Sequence, residues 1–208
     1  MNLTSKRESL KKLYHPLGEA LAHLGVPPNL ITFLSLLLGS LSAYFFFHHK
    51  ALTGALFLFL SGLFDLMDGI VARTTGKTSK FGAVFDWIAD KWVDGFVLGS
   101  IGFAYASPFV AITAITVNLL HSFIKPVAYA EIGYSERVKG KIVDPLEGVG
   151  FFGRPETHIA IILFAILERT NLPLGLELGI KLITLFTLLS LLTRILYLYK
   201  RYGKEYED

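Results

Sequence analysis

The sequence predicts an all-α, polytopic membrane protein with six transmembrane helices and an N-terminal amphipathic surface helix. The composition supports this class, because 52% of the 208 residues are hydrophobic and the mean hydropathy is +0.52, which is too apolar for an ordinary soluble domain. Several apolar runs also approach the roughly 20 residues that a membrane-spanning helix needs. We therefore expect one membrane domain over residues 1–208, with a juxtamembrane helix in 1–26 and a six-helix core in 27–202.

The N-terminal segment is predicted to form the amphipathic helix. Five leucines recur at helical spacing in residues 3–24, while the charged side chains fall on other faces. Pro16 is a predicted kink or breakpoint, and the run Val26-Pro27-Pro28-Asn29 ends the helix. A helix of this kind is typical of one that lies on a membrane surface.

Six apolar segments follow, and they set the topology. They cover residues 30–47, 51–72, 82–105, 108–130, 155–167 and 176–199. With the N-terminus in the cytoplasm, only Lys50, Arg169 and Lys181 among the 20 lysines and arginines fall toward the outside, as the positive-inside rule requires. We expect a multi-pass protein of the cell membrane whose termini and functional site face the cytoplasm.

Four aspartates lie inside two of these apolar segments, where a charge is costly and usually functional. Asp65 and Asp68 share one helical face of the second segment, and Asp86 and Asp90 share one face of the third. If the faces meet, four carboxylates converge, and they need cations to offset their repulsion. Ligation by oxygen alone suits Mg²⁺ or Mn²⁺, and two such ions would also bind phosphate oxygens.

The residues beside these acids help to choose between two functions. Gly69 and Ala72 leave room for a ligand near the backbone, and Arg73 offers a forked donor suited to phosphate. These features favour metal-dependent phosphate chemistry, although a cation-coupled transporter would also place acids in its spans. For Asp94, simple pairing with a neighbouring lysine is as good an explanation as a functional role. The chain has no cysteine, which excludes thiol catalysis.

The acids belong to a longer pattern. It reads Asp65-x2-Asp68-Gly69-x2-Ala72-Arg73-x8-Gly82-x3-Asp86-x3-Asp90. This pattern resembles the signature of the CDP-alcohol phosphotransferases (CDP-alcohol phosphatidyltransferases) at every fixed position and spacing, and the six-span layout is similar too. The resemblance implies a homodimeric transferase of phospholipid biosynthesis that displaces CMP from a CDP-linked lipid or alcohol with the hydroxyl of a second alcohol.

The resemblance also implies roles for individual residues. Asp65, Asp68 and Asp86 would bind the first divalent cation, and Asp65, Asp86 and Asp90 the second. Asp90 would also be the general base that takes the proton of the acceptor. Contacts with the CDP moiety would come from Asn29, Leu30, Ile31, Thr32, Gly69, Arg73 and Ser79.

The acceptor is indicated by a second set of residues. Residues 122–125 (SFIK), residues 152–156 (FGRPE) and Arg194 resemble segments of the prokaryotic phosphatidylinositol phosphate and archaetidylinositol phosphate synthases. This likeness implies that Lys125, Arg154 and Arg194 bind the phosphate of inositol 1-phosphate. The chain departs from the pattern at Val127, where those enzymes carry a basic residue.

The predicted reaction therefore joins a CDP-lipid, either CDP-archaeol or CDP-diacylglycerol, to a phosphorylated alcohol. Inositol 1-phosphate is the favoured acceptor, and glycerol 3-phosphate or serine as acceptor, or CDP-inositol as donor, are the alternatives. Membrane lipids are expected partners and nucleic acid is not. Gly95-x3-Gly99 has the spacing of a close helix contact, either within the monomer or across a dimer.

Overall fold

A computed structural model of the chain describes residues 7–132, 137–138, 141–142, 146, 148–170 and 173–203. These residues are mostly helical, in agreement with the predicted class. The helices are α1 (Arg7–His23), α2 (Pro28–Phe47), α3 (Ala51–Thr74), α4 (Lys80–Ile101), α5 (Pro108–Glu131), α6 (Arg154–Leu167) and α7 (Leu176–Tyr202). A π-helical turn, Gly102–Ala106, extends α4, and two-residue antiparallel strands, β1 (Arg137–Val138) and β2 (Lys141–Ile142), lie in the polar segment after α5.

Four helices in the described part of the chain are long and apolar enough to cross a membrane, namely α2, α3, α5 and α7. The other two predicted spans fall short for different reasons. Helix α4 carries five charged residues among its 22, and the 14 residues of α6 rise only about 21 Å, whereas the hydrocarbon core is roughly 30 Å thick. The structure thus supports a multi-pass membrane protein, and the count of six spans stays a prediction.

Proline and serine set the helix starts. Pro28 occupies the first turn of α2, where its missing N–H costs nothing. Ser79 caps α4 by accepting a hydrogen bond from the Gly82 N–H at 2.9 Å, and Ser107 caps α5 by accepting one from Val110 N–H at 3.3 Å. Such residues are visible in the sequence, and the predicted segments therefore begin within two residues of the observed helices.

Pro16 does not break the first helix, because it lies inside the uninterrupted helix α1, and Pro126 lies inside α5 in the same way. Residues 3–6 of the predicted first helix lie outside the described residues. Helix α1 packs on α3, where a side chain at Gly18 would meet Ile70 Cγ2 at 2.8 Å. This contact brings α1 alongside the helix that carries Asp65 and Asp68.

Small residues let α2 approach α3 closely. The Ser35 and Ser61 hydroxyls each donate to the other residue's carbonyl, at 2.9 and 2.8 Å, and the Ser42 hydroxyl donates to the Gly54 carbonyl at 2.8 Å. Gly54 lies directly against the ring of Phe46. Contacts of this kind hold helices together in lipid, where burial of apolar surface supplies little driving force.

Beyond these contacts lies the apolar core, which has contributions from each helix from α2 to α7. Its largest fully buried side chains are Phe46, Leu58, Leu98, Ile101, Ile161, Leu176 and Ile180. Gly99 allows α4 to pack closely on α5, because a side chain there would meet Ile115 Cδ1 at 3.1 Å. A side chain at Gly95 would meet no described atom within 4 Å. Of the predicted Gly-x3-Gly pair, Gly99 therefore packs within the monomer.

Candidate active site

Three of the four predicted metal-binding aspartates converge. Asp65 on α3 and Asp86 and Asp90 on α4 each offer a carboxylate oxygen, and these oxygens lie within 4.8 Å of one another. Asp86 and Asp90 are one turn apart and therefore project from the same face of α4. The close packing of α2 with both α3 and α4 fixes these two helices relative to each other, so the acids are placed by rigid elements.

The fourth aspartate lies beside this group. Asp68 is buried, and its Oδ2 accepts a hydrogen bond of 2.6 Å from the Thr32 hydroxyl on α2. Thr32 was predicted to contact the CDP moiety, and its hydroxyl also orients a predicted metal ligand. The three-oxygen group among the described residues does not include Asp68.

The geometry of the acids suits a divalent cation. All ligand atoms are carboxylate oxygens, the donors that Mg²⁺ and Mn²⁺ prefer. Asp90 Oδ1 is buried, and a cation lies within ion-pair distance of it. Several carboxylates buried close together need positive charge beside them, and a divalent cation would supply more of it.

The cation beside Asp90 Oδ1 is Arg154, the first residue of α6. Its Nη1 lies 2.9 Å from Asp65 Oδ2 and 2.7 Å from Asp90 Oδ1, and its Nε lies 3.0 Å from Asp94 Oδ1. The sequence predicted a phosphate contact for Arg154, whereas the structure places its guanidinium against the acids. One arginine thereby offsets the repulsion among three carboxylates.

Asp94 was singled out in the sequence only for pairing with a lysine, and it does pair with Lys91 at 3.2 Å. It also accepts from Arg154 and, at 3.1 Å, from His158 Nε2 on the next turn of α6. A signal was available in the sequence, because Asp94 follows Asp90 by one helical turn and His158 follows Arg154 by one turn. What the sequence did not show was that these two helix faces meet.

A cavity of about 880 Å³ opens beside the acids. Asp65 and Asp90 are the signature aspartates on its wall among the described residues, and Lys125, Arg154 and Arg194 line it as well. All three cations that were predicted to bind the acceptor phosphate therefore share one cavity with the predicted base. Positively charged groups and carboxylates of the cluster therefore line the same cavity.

The rest of the cavity wall is largely apolar. Its apolar side chains include Tyr14 and Leu17 of α1, Leu58, Phe59, Leu63 and Leu66 of α3, and Ile159 and Ile162 of α6. One continuous cavity thus has a charged end and a hydrocarbon-like side. Such a cavity matches an amphiphilic ligand better than a small ion alone.

Arg194 is held in a defined orientation on α7. It is only 4% exposed, its Nη1 donates to the His121 carbonyl at 2.7 Å, and its Nε donates to the Val149 carbonyl at 3.1 Å. His121 is itself buried, and its Nε2 lies 3.0 Å from the Ser190 hydroxyl. Two backbone carbonyls therefore fix the plane of the guanidinium at the cavity wall.

The predicted CDP contacts form two small groups. A side chain at Gly82 would meet Ser79 Oγ at 3.1 Å and Asn29 Oδ1 at 3.2 Å, so the starts of α2 and α4 adjoin. A side chain at Gly69 would meet Arg73 Nη1 at 3.2 Å, so the guanidinium lies over that glycine. Because Gly69 and Gly82 have no side chain, these polar groups lie close to the backbone at both positions.

Within the predicted stretch 29–32, the residues differ in their surroundings. The Ile31 side chain is buried with Ala22, Met67 and Val71, whereas Leu30 is exposed. A ligand contact by Ile31 would therefore have to use its backbone. This difference follows from the helix, because successive residues point about 100° apart.

Comparison with known proteins supports the family resemblance that the signature indicated. The family model described as CDP-alcohol phosphatidyltransferase matches residues 26–202. An uncharacterized protein of Aquifex aeolicus is 30% identical over 94% of each chain. The archaetidylinositol phosphate synthase of Pyrococcus horikoshii is 33% identical over 48% of this chain and 53% of its own length, so the match spans about half of that relative.

The fold also resembles solved structures. Crystal structures of a Mycobacterium tuberculosis phosphatidylinositol phosphate synthase, one with CDP-DAG bound and one with manganese and citrate, both match with a TM-score of 0.75 and 23% identity. The match to the first covers 95% of this chain and 99% of the other. At this identity the likeness concerns the fold.

Proposed function

Because this chain belongs to the CDP-alcohol phosphatidyltransferase family, we propose that it transfers the phosphatidyl-type group of a CDP-lipid to a phosphorylated alcohol and releases CMP. The observation that carries the proposal is the shared cavity. It places Lys125, Arg154 and Arg194 beside Asp65 and Asp90, so an anionic acceptor would lie next to the carboxylates. Its apolar side suits the hydrocarbon chains of the donor.

Asp90 is the proposed general base. It is one of the two signature aspartates on the cavity wall, and its Oδ1 lies 2.7 Å from the Arg154 guanidinium that is proposed to bind the acceptor. In the proposed step, Asp90 takes the proton of the acceptor hydroxyl, and that oxygen attacks the β-phosphorus of the CDP-lipid. A new phosphorus–oxygen bond forms, the bond from the β-phosphorus to the bridging oxygen breaks, and CMP leaves with that oxygen and the electron pair.

Two divalent cations, Mg²⁺ or Mn²⁺, would be held by the acids. We assign Asp65, Asp68 and Asp86 to one ion and Asp65, Asp86 and Asp90 to the other. When bound, such ions neutralise charge on the diphosphate and on the leaving group. A relative with a matching fold was crystallised with manganese, which is in keeping with the oxygen-only ligand set here.

The CDP moiety is assigned to the adjoining helix starts. Ser79 and Asn29 flank Gly82, and Arg73 lies over Gly69, so these polar groups could bind the nucleotide near the glycine backbone. Leu30, Ile31 and Thr32 complete the proposed contact. Thr32 would act in part through Asp68, to which it donates a hydrogen bond.

Inositol 1-phosphate is the proposed acceptor. The relatives whose names specify a product include phosphatidylinositol phosphate and archaetidylinositol phosphate synthases, and three cations on one cavity wall suit a phosphomonoester. The donor would be CDP-archaeol or CDP-diacylglycerol. Serine would leave these cations without a phosphate to bind.

Release of CMP by purified protein with Mg²⁺ and a CDP-lipid tests the proposal. We expect release with inositol 1-phosphate and far less with glycerol 3-phosphate, serine or free inositol. Release with another acceptor alone would reject the inositol phosphate assignment and keep the transfer chemistry. If no acceptor supports release, CDP-inositol is the next donor to supply, and ion-dependent uptake into liposomes without CMP release would replace the proposal with a transporter.

We also propose that α4 and α6 cross the membrane with the four apolar helices. Helix α4 packs between α2 and α5, and α6 packs against α3 and α7, and their charged residues at the site contact other protein groups. Six spans would leave both termini on the cytoplasmic side with the site. Leu17 and Leu24 of the α1 region are exposed, which suits a helix resting on the membrane surface.

The absence of cysteine makes this topology simple to test. Single cysteines at Lys77 and at His49 should be labelled by an impermeant maleimide from opposite sides of sealed vesicles. Labelling of both from one side would reject six spans. For the proposed homodimer, light scattering in nanodiscs should give twice the chain mass, and a monomer mass would reject it.

A further inference from the structure

Asp94 is the most buried acid near the site, and the proposed chemistry gives it no role. It is 3% exposed, and it belongs neither to the three-oxygen group nor to the cavity wall among the described residues. Its Oδ1 accepts from Arg154 Nε at 3.0 Å and from His158 Nε2 at 3.1 Å, and its Oδ2 accepts from Lys91 Nζ at 3.2 Å. A buried carboxylate with three such donors is fully compensated.

Two of these donors come from the first two turns of α6 and fix its orientation. Arg154 and His158 are four residues apart and therefore reach the same oxygen of Asp94. The helix start is fixed separately, because the Gly153 N–H donates to Glu156 Oε2 at 3.0 Å and the Thr157 hydroxyl donates to the Gly153 carbonyl at 3.0 Å. Arg154 is thus anchored both at its backbone and at its Nε.

Anchoring Nε determines where the rest of the guanidinium points. The group is planar and rigid, so fixing Nε and the backbone leaves little freedom to its Nη atoms. Nη1 then lies at Asp65 and Asp90, on the wall of the cavity. Without Asp94, the two metal-site carboxylates would be the remaining acidic partners of the arginine among the residues that the structure describes.

The same carboxylate holds a second cation at the cavity. Lys91 Nζ donates to Asp94 and also, at 2.9 Å, to the Ser122 hydroxyl on α5. Lys91 and Ser122 both line the cavity. Asp94 therefore ties α4, α5 and α6 together directly behind the charged end of the cavity.

We propose that Asp94 is a positioning residue that sets the guanidinium of Arg154 to receive the phosphate of the acceptor. The inference rests on the proposed function, since it assumes a phosphorylated acceptor in this cavity. Asp94 would act through Arg154 and would touch neither substrate nor metal.

The test measures equilibrium binding of inositol 1-phosphate to the Mg²⁺-loaded protein without a CDP-lipid, so that no turnover occurs. Asp94→Asn keeps the shape of the side chain and removes its charge. We expect its acceptor Kd to rise about 10- to 100-fold, the range seen when a group at a site is misplaced by about 1 Å. In turnover assays the KM for the acceptor should rise by a similar factor, while kcat changes less than threefold.

A double-mutant cycle distinguishes a positioning role of Asp94 from a general contribution of Asp94 to the fold. In an Arg154→Ala background, Asp94→Asn should leave the acceptor Kd unchanged, because the group that Asp94 positions is gone. An equal rise in both backgrounds would overturn the proposal. So would an unchanged Kd in Asp94→Asn alone.

His158→Ala keeps the proposal testable if the Asp94 variants do not fold. It removes one donor from Asp94 and leaves every signature residue in place. We expect a severalfold rise in acceptor Kd that disappears in the Arg154→Ala background, with CDP-lipid binding unchanged, and no rise would overturn the proposal.

Measurements on the wild-type protein distinguish a failure of this proposal from a failure of the proposed function. If the wild type bound no phosphorylated acceptor and released CMP with serine, the phosphorylated acceptor itself would be rejected, and the role of Asp94 with it. If the acceptor bound in an Arg154-dependent way but ignored Asp94, only the positioning role would be lost.

Discussion

The bundle is stabilised in two different ways along its length, and α4 passes through both regions. Around Val97 and Ile101 its neighbours are apolar, and the large side chains there are fully buried. Two turns earlier, Asp90 and Asp94 contact a cluster of charged groups in which each acid has a defined partner. Substitutions should therefore reduce stability in the first region and binding or chemistry in the second.

The largest effect should come from Asp90→Asn. Removing the proposed general base is expected to lower the rate of CMP release by about 10³-fold, while metal-dependent binding of the CDP-lipid persists. A stopped assay for CMP together with a donor-binding measurement tests both statements. Glu177→Gln is the matched control, since Glu177 is an exposed acid at the start of α7, and near-normal turnover in Asp90→Asn would remove Asp90 as the base.

In the apolar region, Phe46→Ala should produce the largest loss of stability. Phe46 is 0% exposed and packs on Gly54, so truncation leaves a cavity and should cost about 3 kcal/mol in the free energy of unfolding. Phe47→Ala is the control, because that neighbour is 54% exposed. Denaturant unfolding in detergent measures the difference, and equal losses from both substitutions would contradict the assigned core.

Arg194→Ala should act on the acceptor alone. We expect the KM for inositol 1-phosphate to rise about 10- to 100-fold, in line with the loss of a charge-assisted contact worth roughly 1.5–3 kcal/mol, while the KM for the CDP-lipid stays unchanged. Arg201→Ala, on the exposed end of the same helix, should have no effect. If both variants behave like the wild type, the phosphate does not bind at Arg194.

The smallest of these effects should come from Thr32→Val. This change removes the hydrogen bond to Asp68 and should weaken Mn²⁺ binding by about tenfold, as for other groups that orient a metal ligand. Titration followed by electron paramagnetic resonance measures free Mn²⁺ directly. Thr113→Val is the control, because the Thr113 hydroxyl donates to the Phe109 carbonyl within its own helix.

Local patterns allowed much of the fold to be predicted. Pro28 and Pro108 mark helix starts, and the spacing of the aspartates in α3 and α4 implied a shared site. The signature spans only 26 positions, so its residues are brought together by two consecutive helices. This is why the meeting of Asp65 with Asp86 and Asp90 could be foreseen.

The missed contacts depend on helices that are distant in sequence. Arg154 lies 60 residues from Asp94 and 89 from Asp65, and no local pattern states which face of α6 meets α4. The link between Thr32 and Asp68 spans 36 residues in the same way. The two-residue strands were also missed, because each is too short to show an alternating pattern.

The cavity has a further consequence for how the reaction depends on its substrates. Its apolar side, with Leu58, Phe59, Ile159 and Ile162, is continuous with its charged end. A lipid donor would therefore reach the acids by lateral diffusion, while the acceptor and CMP exchange with water. The rate should follow the mole fraction of donor within the membrane or micelle, so that adding inert detergent slows the reaction at constant total donor.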